Sequence, residues 1–454
     1  MQKTIYTKRN KIVYPLQWIV GQFIHYGLKV LIPLIPPRFQ DELKRLEGNV
    51  FAMNVLGLTF FNALGGLLVM ATNVKLANVL GASVYGTYAF YIAVGEMGSN
   101  FVRYGRHKTM TRDLIQRSDQ FDSLISNTFV LGVMNMVIFL LFIALFAKPL
   151  TIELSIATIL LMLSPSIGCI DFQPVYESIK LISWHACYHL IQKLIFFAGI
   201  GLAIMGVINP TLLYISAILF ISWFATLVIQ YWEIIINLRI RIFEHVSFYN
   251  IWSLYKNNFL ISLSCFMGVA FGPIIQMVLK ESADAAAVGV YAAGMQIFLL
   301  CQFFFNQIAR VGNPMMAEAG KEECSIAQRR NLVNRYTLIM LLAALPFLLP
   351  LVVFPQFTAD VFYTKEYEEL GSLLPWYGIY LIGLAIGIVY TQFLISMRKD
   401  KVYFSIYVTS AIATAICAFT LIPPLGVLGA VISLCIPHTI GCLFYLIFSL
   451  KYLK

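Results

Sequence analysis

Charged residues are scarce in this chain, and their scarcity excludes an ordinary soluble globular protein. Only 12% of the 454 residues are Asp, Glu, Lys or Arg, whereas 59% are hydrophobic. A soluble domain carries about 25% charged residues, so this surface is suited to lipid rather than to water. We therefore predict an integral membrane protein.

The sequence also lacks the patterns that would indicate covalent chemistry or a metal centre. The eight cysteines form no Cys-x-x-Cys pair, so neither a disulfide framework nor a zinc site is indicated. Walker A, Gly-x-Ser-x-Gly and His-Glu-x-x-His motifs are absent, and Glu96 is the only acid deep within a predicted span. We expect no enzymatic activity, no metal and no cofactor.

Long apolar runs are what the chain has in abundance. Runs of about 20 residues, the length at which a helix crosses a bilayer core, recur from residue 51 to the C-terminus. They are continuous rather than alternating, which favours helices over a barrel. We predict twelve spans, at 51–78, 83–103, 122–147, 151–170, 181–206, 210–236, 252–279, 285–309, 333–355, 370–396, 402–423 and 426–450.

The basic residues predict the orientation of these spans. If the N-terminus is inside, all but five of the 32 Lys and Arg fall at the cytoplasmic side, and the five are Lys75, Lys148, Lys193, Lys280 and Lys365. The positive-inside rule then places both termini in the cytoplasm. We interpret the net charge of +10 as a signal of membrane topology and of contact with anionic lipid head groups, not of nucleic-acid binding.

The first fifty residues form an extension before the first span. The run 14–37 is apolar, but polar residues recur on one helical face and three prolines interrupt its far end. This pattern favours a cytoplasmic amphipathic helix in the membrane interface, and a thirteenth span is the alternative.

A short internal repeat divides the twelve spans into two halves. The second span opens with Gly86-Thr87-Tyr88-Ala89 and the eighth with Gly289-Val290-Tyr291-Ala292. Their equal orientation predicts two six-helix lobes related by a parallel repeat, as in transporters that bind substrate between lobes and expose it alternately to each side. The predicted domains are the extension 1–50, a lobe 51–236, a linker 237–251 and a lobe 252–454.

Residues 76–113 contain a series of short motifs: Leu80-Gly81, Tyr85-Gly86, Gly105 and Thr111-Arg112. In these motifs the segment resembles the opening of the Wzx-type polysaccharide flippases of the multidrug/oligosaccharidyl-lipid/polysaccharide (MOP) exporter superfamily. Asn78 departs from the pattern, since the family often has a basic residue there, and Lys75 lies one turn earlier.

The resemblance implies a function in the inner membrane. It implies alternating-access translocation of a polyprenyl-pyrophosphate-linked oligosaccharide, an O-antigen or capsule repeat unit, from the cytoplasmic to the outer leaflet. H⁺ or Na⁺ is the candidate coupling ion. Two other functions stay open: a cation-coupled exporter of small molecules or drugs from the same superfamily, and a membrane polysaccharide polymerase.

The candidate substrate path consists of polar residues inside or beside the spans. His185, His189, Gln192 and Lys193 share one face of the fifth span, where cations and donors would meet phosphate or sugar. The alternative is that they hydrogen-bond to a neighbouring helix as structural glue. The other candidates are Lys75, Asn78, Asn100, Arg103, Asn306 and Arg310.

Glu96 is the candidate ion-coupling residue, because a carboxylate at mid-span can exchange a proton or sodium ion. The alternative is an ion pair with a basic residue on a neighbouring helix, such as Lys193. Cys187 projects away from both histidines of the fifth span, so these three residues do not predict a metal site.

Overall fold

The structure is a computed structural model that describes residues 50–147, 151–179, 182–237, 239–240, 242–243, 245–320, 324–397 and 399–453. The predicted interfacial helix at 14–37 lies outside the described residues. Over the described ranges the chain is helical and has no β-strand, which confirms the predicted all-α class.

Thirteen α-helices follow one another within the described part of the chain. They are α1 Val50–Arg103, α2 Arg106–Gln116, α3 Phe121–Ala147, α4 Ile152–Ile167, α5 Gln173–Ser178, α6 Ile182–Ile204, α7 Leu212–Trp232, α8 Phe248–Ser282, α9 Ala285–Ala319, α10 Ile326–Leu348, α11 Pro355–Phe362, α12 Leu370–Ser396 and α13 Asp400–Leu450.

Two of the long helices contain a break at a glycine. Gly81 in α1 has φ 72° and ψ 166°, and Gly426 in α13 has φ 56° and ψ −130°. Glycine adopts positive φ without the steric penalty of a side chain. Each break separates two helical arms, and each arm covers one predicted span.

A described helix or helical arm covers each of the twelve predicted spans. Within the described ranges, eight helices are long and apolar enough to cross a membrane, and two of these, of 47 and 50 residues, contain the glycine breaks. The protein is therefore a multi-pass membrane protein.

Local sequence signals explain where several helices begin. The Thr211 side chain accepts a hydrogen bond from the Tyr214 amide (3.2 Å) at the start of α7. At the start of α10, Ser325 and Gln328 form a capping box, in which each side chain accepts from the other's backbone amide at 3.3 and 3.1 Å. Such caps satisfy amides that have no partner within the helix.

The described residues group into two compact units. The first contains residues up to Val69 and Val94–Met267, and the second contains Met70–Ala93 and Gly268–Lys454. Each unit is considered by itself below, and the predicted lobe boundaries stay a prediction.

An aromatic and aliphatic core in the first unit holds the short helices α2 and α5 against α3 and α6. Twelve buried side chains form it: Met110, Leu114, Phe121, Ile125, Phe172, Val175, Tyr176, Trp184, Tyr188, Ile234, Ile240 and Ile242. This core fixes the turn between α4 and α5, which contains Asp171.

In the second unit, both copies of the Gly-x-Tyr-Ala repeat lie at one helix crossing. A Cβ on Gly86 would lie 1.7 Å from the Ala285 carbonyl oxygen, and a Cβ on Gly289 would lie 2.1 Å from the Ala82 carbonyl oxygen. Glycine at both positions lets the backbones of α1 and α9 touch, as small residues do in membrane helix pairs.

The break at Gly81 is closed by an acid from the segment between α11 and α12. The Ala82 amide donates to Glu366 Oε2 at 2.9 Å, and a Cβ on Gly81 would lie 2.6 Å from the same oxygen. A carboxylate suits this position because the first amides of a helical arm carry partial positive charge.

Candidate functional site

The N-terminal half of the α6 polar stripe meets a buried carboxylate. His185 Nε2 lies 2.8 Å from Asp171 Oδ2, and His189 Nε2 lies 3.3 Å from the same oxygen. The two imidazole nitrogens are 3.1 Å apart. One carboxylate oxygen and two imidazoles thus converge at a single point.

The chain around Asp171 explains this convergence. Helix α4 ends at Ile167, and α5 begins at Gln173 with Pro174 in its first turn, so Asp171 lies in a tight connection. Phe172 and Tyr176, which follow Asp171 in the chain, are buried in the core with residues of α6 and hold the connection against the start of that helix.

Two arginines line a small cavity beside Asp171. Arg103, Arg106 and Asp171 contribute to its wall, and its volume is about 20 Å³, enough for one water molecule. Burial alone would raise the pKa of the Asp171 carboxyl, but the His185 and His189 imidazoles hold this pKa well below its usual range. The two imidazoles thus favour the ionised form of Asp171, and the two arginines line the cavity beside it.

Arg106 is a buried cation held by backbone carbonyls. Its guanidinium donates to the carbonyl oxygens of Arg103 (2.8 Å), Thr128 and Val102 (3.5 Å). Burial lowers the pKa of Arg106 to about 10. A Cβ on Gly132 would lie 2.7 Å from one guanidinium nitrogen, so glycine at 132 provides room for this side chain.

Within the described ranges, one group has the composition of a metal site. It consists of Asp171, His185 and His189, whose potential ligand atoms lie within 4.8 Å of one another. Arg103 and Arg106 line the cavity beside the carboxylate, and their positive charge disfavours the binding of a metal cation there. We interpret the group as a hydrogen-bond network, and the absence of a metal stays a prediction.

The two residues at the C-terminal end of the polar stripe, Gln192 and Lys193, have different environments. The Gln192 side chain is buried and donates to Ser222 Oγ on α7 at 2.9 Å, as expected for structural glue. Lys193 is half-buried, and its Nζ lies 2.8 Å from where a Cβ on Gly65 would be. Over the described residues, no ion pair or hydrogen bond is found for Lys193.

Comparison with known proteins identifies the family. Residues 51–319 match the family model described as "Polysaccharide biosynthesis protein", which is more than half of the 454 residues. The chain belongs to the polysaccharide biosynthesis protein family. This confirms the predicted relationship to the Wzx-type flippases of the MOP superfamily. No curated protein sequence matches the chain significantly.

Solved structures of MOP transporters share the fold of this family member. The lipid II flippase MurJ in an inward closed conformation superposes with a TM-score of 0.70 at 14% identity, over 87% of each chain. An inward-facing multidrug resistance MATE transporter gives 0.63 at 11% identity, over 87% of this chain and 94% of its own. A MATE transporter of Vibrio cholerae gives 0.58 at 16% identity, over 89% and 99%.

The Thr and Gly positions of the family's opening motif have structural roles in the first unit. The Thr111 hydroxyl donates to Glu177 Oε2 at 2.6 Å, and Gln173 Nε2 donates to Glu177 Oε1 at 2.7 Å, so Thr111 ties α2 to α5. Gly105 has φ 69°, and a Cβ there would lie 3.0 Å from the Ile261 side chain.

The remaining candidates of the first unit lie on α1. The Glu96 side chain is exposed, and Asn100 Nδ2 donates to the Glu96 carbonyl oxygen at 3.0 Å. Within the described part of the chain, Glu96 and Lys193 form no ion pair. This structure therefore gives no support to an ion pair between Lys193 and Glu96, and the role of Glu96 stays a prediction.

Among the described side chains of the second unit, Lys75, Asn78 and Asn306 share no hydrogen bond or ion pair with one another. Lys75 and Asn306 are exposed. Asn78 Nδ2 donates to the Phe362 carbonyl (2.8 Å), and its Oδ1 accepts from the Thr364 amide (3.1 Å), so both polar groups of Asn78 hold a loop. The Arg310 side chain lies outside the described part.

Two acids were missed by the analysis of the sequence. Asp171 pairs with the histidines, and Glu233 accepts hydrogen bonds from Tyr176 (2.7 Å) and Tyr188. Asp171 lies just after the predicted span 151–170, and Glu233 lies near the end of the predicted span 210–236. An acid next to a span end is the signal that would have found them.

Proposed function

We propose that the protein moves a polyprenyl-pyrophosphate-linked oligosaccharide from the cytoplasmic to the outer leaflet by alternating access. Membership of the polysaccharide biosynthesis protein family supports the substrate class. The likeness of the fold to MurJ, named as a lipid II flippase, supports the type of transport. The proposed location is the inner membrane, and the proposed substrate is an O-antigen or capsule repeat unit.

The observation that carries the proposal is the environment of Lys193. A lysine in a membrane-spanning helix costs several kcal/mol unless it has a partner or lines a water-filled path. Lys193 is half-buried on α6, and the described residues give it no counter-ion. An anionic pyrophosphate passing beside it would supply the missing partner.

The polar cluster at the start of α6 extends this reasoning. His185 and His189 contact Asp171 from the same helix as Lys193, and Arg103 at the end of α1 lines the cavity beside Asp171. These side chains offer cationic and hydrogen-bonding groups. We assign Arg103, His185, His189 and Lys193 to the substrate path of the first unit. Gln192 is proposed as a structural contact to α7, whereas the assignment of Lys75, Asn78, Asn100, Asn306 and Arg310 to the path stays a prediction.

Glu96 is proposed as the coupling residue. Over the described ranges its side chain makes no ion pair, and a carboxylate at mid-span can exchange a proton or a sodium ion. Transport of this kind needs binding and conformational change but no covalent step, and we propose that the protein is not an enzyme.

The test is deletion of the gene in the source organism, followed by complementation. Loss of surface polysaccharide with the lipid-linked repeat unit retained on the cytoplasmic leaflet is the expected result. Intact surface polysaccharide with raised sensitivity to cationic drugs would instead support a small-molecule exporter of the same superfamily.

A further inference from the structure

A second, polar pocket lies in the first unit, and it shares no lining residue with the cavity beside Asp171. Its volume is about 400 Å³, and residues of α2, α8 and the beginning of α3 line it. Pockets for small ligands begin at about 300 Å³. The predicted topology places these helix ends on the cytoplasmic side, where a lipid-linked substrate would arrive.

Helical periodicity aims one face of α2 and one face of α8 into this pocket. On α2, Thr109 and Asp113 are four residues apart. On α8, Asn250, Ser253 and Asn257 are spaced by three and four residues. Residues at these spacings share a face, so the polar lining is built into both helices.

Two of the asparagines that line the pocket, Asn127 and Asn258, are buried and held by hydrogen bonds. The Thr109 hydroxyl donates to Asn258 Oδ1 at 2.9 Å, and Asn258 Nδ2 donates to the Leu254 carbonyl at 3.0 Å. Asn127 accepts from the Ser247 amide at 2.8 Å and donates to the His245 carbonyl at 3.1 Å. The pocket is therefore pre-formed rather than a chance gap between side chains.

Other amides at the pocket keep hydrogen-bonding capacity for a ligand. Asn250 is exposed, and over the described residues its side chain makes no hydrogen bond. Asn257 donates to Ser253 Oγ at 3.2 Å and retains its amide oxygen as an acceptor. An amide offers two donors and an acceptor, and this combination suits neighbouring hydroxyl groups on a sugar ring.

The charge of the lining discriminates between ligand classes. One acid, Asp113, and one base, Arg117, line the pocket, so their formal charges cancel. A phosphate or nucleotide site requires an excess of cations, whereas a neutral sugar does not. Leu124, Leu254 and Ile261 also line it and offer apolar contact for the C–H groups of a sugar ring.

From this lining we infer that the pocket binds a short neutral saccharide. The ligand class follows from the pocket alone. That the saccharide is the sugar end of a lipid-linked oligosaccharide on the cytoplasmic leaflet rests on the proposed function. In this arrangement the pocket captures the sugar end, while the pyrophosphate lies with the cationic groups of the path.

The test measures binding of the soluble oligosaccharide, released from the organism's own lipid-linked repeat unit, to the purified full chain. The double variant Asn250→Ala/Asn257→Ala should weaken binding about tenfold, since it removes two neutral hydrogen-bonding groups. Both positions are exposed, so the thermal midpoint should not change. Asn209→Ala removes an exposed amide outside the pocket and should bind like the unaltered chain.

Two further results separate this inference from the proposed function. Equal binding by the double variant and the unaltered chain would overturn the pocket, and so would competition by inorganic phosphate. Translocation of the lipid-linked oligosaccharide by the unaltered chain is measured in parallel. If sugar binding depends on Asn250 and Asn257 but nothing is translocated, the pocket stands and the proposed function fails.

Discussion

Neighbouring residues of α6 have different roles, although they share one helical stripe. Gln192 is buried and bonded to Ser222, whereas Lys193 is half-buried beside Gly65 and has no partner within the described ranges. The sequence predicts the polar stripe because its spacing is local. It does not separate the two roles, because Ser222 and Gly65 lie on other helices.

Lys193→Ala should abolish transport while leaving the amount of protein in the membrane nearly normal. Removing a cation that has no partner relieves a desolvation cost, so the fold should tolerate the change. The measurement is surface polysaccharide beside membrane-protein level in a complemented deletion strain. Normal surface polysaccharide would remove Lys193 from the substrate path.

Gln192→Ala is the matched control on the same helix. It leaves the Ser222 hydroxyl without its Gln192 donor and should lower stability by about 1 kcal/mol. Protein level should fall modestly, and transport per molecule should be retained. The two neighbouring substitutions are thus expected to have opposite effects.

At the scale of helices, glycine determines how closely the backbones pack. Both glycines of the internal repeat lie at the crossing of α1 and α9, where any Cβ would collide with a carbonyl oxygen. The repeat could be found from the sequence, because its residues recur. Its contact could not, because the copies lie on helices distant in the chain.

Gly86→Ala should destabilise the second unit by about 1–3 kcal/mol or more, since overpacking against rigid backbone has this cost. The control is Gly201→Ala on α6, where a Cβ would meet nothing within 4 Å and alanine should stabilise the helix by up to about 1 kcal/mol. Thermal unfolding of both purified variants in detergent measures the difference. An unchanged midpoint for Gly86→Ala would contradict the close crossing.

At the scale of the whole molecule, the hydrophobic pattern predicted the twelve helical segments, since each long apolar run must satisfy its own backbone in lipid. It did not predict Asp171 as the partner of His185 and His189, because that contact depends on how the connection after α4 folds back on α6. The family is recognisable from local motifs such as Thr111-Arg112, and it points to a substrate class.

Translocation by the purified chain in liposomes tests the central claim most directly. The lipid-linked oligosaccharide is placed in both leaflets, and a membrane-impermeant reagent modifies only the sugars exposed outside. With the unaltered chain, the protected inner-leaflet pool should become accessible over time, whereas with Lys193→Ala it should stay protected. A pool that remains protected in the presence of the unaltered chain would contradict the assignment of this protein as a flippase.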